Sequence, residues 1–231
     1  MRIQSRISRL TPDVSGVYPR AYVDITEATF AYGVAENVEL IGTVPVVNRE
    51  IDFPGHGTQS DTGVGDIPIL AEWRFYQHDE PGKTTRWAMI TGLAIPSFNA
   101  PFSSRSFNPI IGTVWTHQER TWEIDLDTVY QDNTGSGVNR VGRWESDAAY
   151  TQLLWRGRTP SIGPWGLYGV AELNGNYYTD GSSQVFASPG VEFITPRWIL
   201  EAGMQLPIYS RIRLPLFETN YTFILGLQFQ F

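Results

Sequence analysis

Apolar and polar residues alternate with a period of two along most of the chain, the signature of strands whose two faces meet different surroundings. The final segment shows it most plainly. Tyr221, Phe223, Leu225, Leu227, Phe229 and Phe231 share one face, and Thr222, Gly226, Gln228 and Gln230 the other, with Ile224 the exception. Trp198, Leu200, Ala202, Met204 and Leu206 oppose Ile199, Glu201, Gly203 and Gln205. Trp122, Ile124, Leu126 and Tyr130 oppose Glu123, Asp125 and Asp127. Ile67, Ile69, Ala71, Trp73 and Phe75 oppose Asp66, Glu72 and Arg74. The phase is ambiguous only in 21–32 and 143–156, where a bulge would switch it.

Such a pattern fits either a soluble β-sandwich or a membrane barrel. The apolar-faced segments run to about ten residues, the length a tilted membrane strand needs, whereas sandwich strands average about five or six. Aromatic residues gather at segment ends, where interfacial girdles lie: Trp73, Phe75, Trp87, Trp115, Trp122, Trp198 and Phe231. Polar or Gly/Pro-rich breaks fall at 11–20, 33–37, 48–62, 78–83, 96–107, 117–120, 131–142, 157–165, 175–183, 195–197 and 207–219. Counting 157–165 as short, they alternate between long and short, the asymmetry of bacterial barrels, with long outer loops and short periplasmic turns. Eleven breaks make twelve strands, and an even number places both termini on the periplasmic side. The expected fold is an all-β, antiparallel up-and-down transmembrane barrel, one domain over residues 1–231.

Composition sharpens this reading. Charged residues make up 18% of the chain, below the roughly 25% of soluble domains, so part of the surface faces something other than water. Mean hydropathy is negative, and no apolar run reaches the roughly 18 residues of a transmembrane helix. The net charge of −7 excludes nucleic acid as a partner, because phosphate binding needs a basic footprint. There is no Cys, which fits a Gram-negative envelope protein. No signal peptide is visible, so the sequence reads as a mature form. The expected location is the outer membrane of a Gram-negative bacterium, among bilayer lipid and lipopolysaccharide.

The segments YGVAENVELIGTVP from Tyr32, GVGDIPILAEWRF from Gly63 and SPGVEFITPRWILEAGMQLP from Ser188, with the ending NYTFILGLQFQF, carry a family resemblance. The chain resembles, from about Tyr22 to Phe231, the outer-membrane transporter-like family named for the meta-pathway of phenol degradation. Its GxGD step, Gly63, Gly65 and Asp66, stands after a long loop and before an alternating strand. The resemblance implies a barrel through which small compounds, often aromatic or apolar, cross the outer membrane. It supplies no catalytic residues.

Alternation assigns Glu39, Asp66, Glu72, Glu123, Asp125, Asp127, Glu172, Glu192 and Glu201 to the inner face, with Arg74, Arg2 and Arg6. Charges there must be hydrated or paired, since an isolated buried ion is very costly. They are either an ion-paired brace in a filled barrel or an acidic conduit that attracts cations. Twelve strands lie between the roughly eight of a filled barrel and the roughly sixteen of an open one. Phe98, Phe102, Phe107, Tyr209 and Phe217 are candidates for an inward constriction or apolar entry site in the long loops, against self-packing of a compact loop. Arg105, Arg211 and Arg213 are either lipopolysaccharide contacts or solvated charges. Leu227, Phe229 and Phe231 read as the terminal signal for the outer-membrane assembly machinery, against a plain edge strand.

No cofactor, metal or enzymatic activity is expected. The three histidines are His56, His78 and His117, and only His56 has a Ser and an Asp nearby in sequence, Ser60 and Asp61. A triad is defined by geometry that adjacency does not supply. An absence of Cys and of a tight His pair argues against a transition metal. Two functional classes remain: a channel or transporter for small solutes, and a plugged barrel with a structural, adhesive or scaffold role. A monomer is favoured.

Overall fold

In the computed structural model the alternating segments form thirteen strands of one antiparallel sheet. The structure describes residues 1–11, 20–53, 55–98, 101–135, 141–213 and 218–230, and only the backbone of Arg9, Thr11 and Arg20. The strands are β1 (Arg2–Thr11), β2 (Arg20–Ala35), β3 (Val38–Phe53), β4 (Gly57–Val64), β5 (Ile67–Glu80), β6 (Lys83–Ile95) and β7 (Asn108–Glu119). They continue with β8 (Trp122–Gln131), β9 (Arg143–Thr159), β10 (Gly163–Tyr178), β11 (Ser183–Ile194), β12 (Trp198–Arg211) and β13 (Glu218–Phe229). Except for β4 and β5, each pairs with its chain neighbour, and β1 also pairs with β13, which closes the sheet. β4 and β5 both pair with β3 and form one stave broken at Gly65–Asp66, so the barrel has the twelve staves expected from the breaks. Closure matters energetically, because in hydrocarbon every backbone N–H and C=O must be bonded within the protein.

At one end the staves are joined by short hairpins at 36–37, 81–82, 120–121, 160–162 and 195–197. The other end carries the longer connections. One of them is shorter than its composition implies. β3 runs to Phe53 and β4 resumes at Gly57, so the polar stretch 48–62 is mostly paired strand, with β3 held between β2 and β4. Its residues lie beyond the apolar band and need no apolar face, so the strands keep their hydrogen bonds but lose their hydropathy signature.

The two ambiguous segments resolve differently. In β9 the pairing with β10 jumps from Trp155 to Leu153, and the bulged Leu154 is exposed beside Trp155. β2 has no bulge there, with continuous register against β3 from Arg20 to Gly33. Its signal is blurred because Asp24 lies on the outer face, where it accepts a hydrogen bond from Ser5 Oγ at 3.0 Å.

The outer surface is an apolar band that includes Ile69, Leu126, Leu173, Leu200 and Leu225, all exposed. Near the short-hairpin end, aromatic rings pack in rows. Trp73, Phe75 and Trp87 form one, with centroids 5.8 and 5.6 Å apart. Trp165, Phe193 and Trp198 form another, at 5.3 and 5.4 Å. These rows form an aromatic girdle at that interface. Small apolar residues, including Ala88, Ala94 and Ile110, are buried inside.

Candidate functional site

The inner face holds two recesses. The larger, of about 440 Å³, is walled by Asp125, Asp127, Glu172, Glu192 and Glu201, with Arg2 and Arg6 across from them. Glu145 and Asp147 of β9 join this wall. The second, of about 350 Å³ near the short hairpins, is lined by Glu39, Glu72, Arg74 and Arg86. Glu123 lies on the same face of β8 as Asp125 and Asp127, by the strand's alternation.

Cross-strand register sets acid against acid at three levels. Glu39 is directly opposite Glu72, Asp127 opposite Asp147, and Glu192 opposite Glu201. Like charges directly opposite on one face of a sheet are destabilising. Among the described residues no basic side chain lies within 4.0 Å of Asp125, Asp127, Asp147, Glu172 or Glu192. Partners there are neutral donors. Asn174 Nδ2 donates to Asp147 at 3.0 Å and to Glu172 at 3.3 Å, and Thr116 Oγ1 donates to Asp125 at 2.5 Å.

Two acids of this wall do have basic partners: one is Glu145, which pairs with Arg143 at 2.9 Å, and the other is Glu201. It accepts hydrogen bonds from Arg2 at 2.6 Å and from Gln4 at 2.7 Å, both on the far side of β13. The carboxylate crosses β13 over Gly226, where a Cβ would collide with it. This brace spans the seam between the first and last strands, beside the Met1 N–Phe229 O bond of 3.0 Å. Gly226→Leu should expel the Glu201 carboxylate and lower unfolding stability by about 1–2 kcal/mol, the scale of a hydrogen bond to a partly exposed charge. Gly33→Ala is the control, since a Cβ there meets nothing within 4 Å. Equal urea midpoints for the two variants would mean that the brace carries no stability.

The remaining predicted site residues fall elsewhere. Asp66 sits at the break between β4 and β5, and both its oxygens accept the backbone N–H of Ser104 at 3.1 Å. Phe102 of the connection between β6 and β7 stacks on the Arg49 guanidinium, 5.2 Å from ring centroid to Cζ. Arg49 also pairs with Asp61 at 3.1 Å. Phe98 and Phe107 are exposed. Tyr209 belongs to β12 rather than to a loop. It follows a register shift and is exposed opposite Val185 on the outer face. Leu227 borders an outer apolar groove, and Phe229 pairs with Trp198. Phe217 and Phe231 lie outside the described residues.

Asp61 is thus committed to Arg49 rather than to His56. His117 stacks between Trp115 and Trp122 and bonds Thr85 Oγ1 at 2.7 Å. Among the described residues no group of three or more His, Asp or Glu side chains converges to hold a metal ion.

A family model described as "Putative MetA-pathway of phenol degradation" matches residues 16–223. The chain belongs to this family. No curated protein matches it. Among solved structures it is similar to an outer membrane channel from Pseudomonas putida F1, at 14% identity and a TM-score of 0.58, covering 99% of this chain and 94% of that one. It is also similar to the β domain of the Bordetella autotransporter Brka, at 11% identity and a TM-score of 0.56, covering 100% and 98%. At these identities the likeness is one of fold, and both neighbours are outer-membrane barrels. This member of the family therefore has the fold of an outer-membrane barrel, with exposed apolar residues on its outer face.

Proposed function

We propose that this barrel is an outer-membrane channel for small solutes whose acidic inner wall favours cations and neutral polar molecules over anions. The observation that carries the reading is the set of like-charged pairs inside the barrel, above all Asp127 opposite Asp147. A wall in which Asp125, Asp127, Asp147, Glu172 and Glu192 have no basic partner within 4.0 Å demands water and mobile counter-cations, because desolvating an unpaired ion is prohibitive. A hydrated path lined by one sign of charge concentrates the opposite ion. The long-loop end faces the cell exterior in this reading, as in bacterial barrels generally. Aromatic or apolar solutes, implied by the family's name, have less support in a wall this polar.

A second reading, a filled barrel with a scaffold or adhesive role, draws on the Glu201 brace and on the likeness to an autotransporter β domain. Conductance separates the two. Purified protein in a planar bilayer should give stable current steps if it is a channel. Silence, from protein shown to be folded by its heat-modifiable gel mobility, would favour the scaffold.

A further inference from the structure

Asp66 belongs to the GxGD step, and its carboxylate does not border either inner recess. At Gly65 the stave makes an extra-residue step, and the Gly65 N–H bonds Pro45 O at 3.0 Å. A Cβ at Gly65 would press on the Pro45 ring at 3.2 Å. This close approach places Asp66 under the connection between β6 and β7. Its carboxylate accepts the Ser104 N–H with both oxygens and the Ser97 N–H at 3.4 Å. Ser97 Oγ donates to Val64 O at 2.7 Å, which ties the start of the connection to β4.

The described residues of the connection, 96–98 and 101–107, are held in a constrained shape. Phe98 and Arg105 adopt positive φ, 57° and 59°, which L-residues rarely take, and both their N–H groups bond Ser103 Oγ at 3.2 Å. Asn108, fully buried, accepts the Thr134 N–H at 3.0 Å and donates to Ser104 Oγ at 2.9 Å. The far side of the connection is therefore fixed as well. The result is that Phe102 is set on Arg49. Arg49 is on the same face of β3 as Glu39, the inner one, at the long-loop end.

We infer that Asp66 is a latch that holds Ser97 and Ser104 of the β6–β7 connection at the mouth of the barrel, where Phe102 on Arg49 forms a fixed constriction that limits solute size. The inference rests on the channel reading above and assigns a positioning role to the acid of the GxGD step. A latch through two backbone N–H groups fixes a loop irrespective of its side chains, which suits an element that sets a pore diameter.

Two readouts test it in the full-length protein, folded in detergent or bilayer. The first is tryptic cleavage at the exposed Arg105, followed by mass spectrometry. The second is single-channel conductance. Asp66→Ala should accelerate cleavage at Arg105 on the order of tenfold, because proteolysis follows the population of the locally open state. It should also raise conductance. Asp66→Asn keeps one acceptor oxygen and should stay near the parent in both. Phe102→Ala should raise conductance with cleavage unchanged, a split that general destabilisation would not give. Unchanged cleavage in Asp66→Ala, with folding verified by gel mobility, would overturn the latch. Faster cleavage with parental conductance in both Ala variants would overturn the constriction. Silence of the parent and of both Ala variants would overturn the channel reading, and with it any pathway for Phe102 to narrow.

Discussion

Leu126→Arg should destabilise the folded barrel by about 2–4 kcal/mol, the cost of a basic residue at the midplane of a membrane barrel. Leu126 lies midway along β8 on the outer face, exposed within an apolar groove beside Ile124, Tyr150 and Leu173. One residue further on, Asp127→Arg should cost little or even stabilise. Asp127 borders the acidic recess opposite Asp147, so a guanidinium there replaces repulsion by attraction. Unfolding midpoints in urea, measured for both variants in the same detergent or lipid, read the contrast. It is a sharp test because neighbouring residues on a strand share nearly every property except the face they occupy. Equal losses would place β8 in the wrong phase, or its outer face away from lipid.

The second large effect concerns the inner wall. Replacing Glu123, Asp125 and Asp127 together by Gln, Asn and Asn should lower the cation-to-anion permeability ratio of the channel. Stability should not fall with it. Asp127 faces a like charge, and Asp125 loses only one oxygen of a pair to the Thr116 hydroxyl, so neutralisation relieves repulsion without orphaning a buried base. A drop in the unfolding midpoint, with or without new current, would instead identify these carboxylates as part of a brace. No change in either quantity would make them merely solvated.

The fold was legible because lipid imposes it. An outer face in hydrocarbon forces alternation over the full width of the membrane, and closed barrels force alternation of long and short breaks. β8 and β13 could be phased from single residues for this reason. Where a segment leaves the apolar band the constraint lapses, and β3 and β4 extend through 48–62 with no hydropathy trace. The bulge at Leu154 gave only an ambiguity, since the shift is visible only against β10.

The candidate site was less legible. Alternation can put Glu192 and Glu201 on one face, but it does not set them opposite each other. That depends on register, which hairpin geometry fixes. Gly226 resembles any small residue on an inner face until Glu201 is seen to cross it. Asp66 shares the polar face of β5 with Glu72 and Arg74, yet the step at Gly65 turns it toward a loop distant in sequence. Glu145 and Asp147 owe their face to the phase of β9, which the bulge at Leu154 hides from the sequence. Pro207 marks the stretch that follows as a loop, yet β12 continues through Tyr209 to Arg211.

The most direct measurement of the central claim is the reversal potential of the unmodified protein in a planar bilayer under a salt gradient. A hydrated barrel with this acidic wall should conduct and should give a reversal potential of the sign set by cation preference, weakening as ionic strength rises and screens the carboxylates. Verified insertion without current, or a reversal potential of the opposite sign, would contradict it.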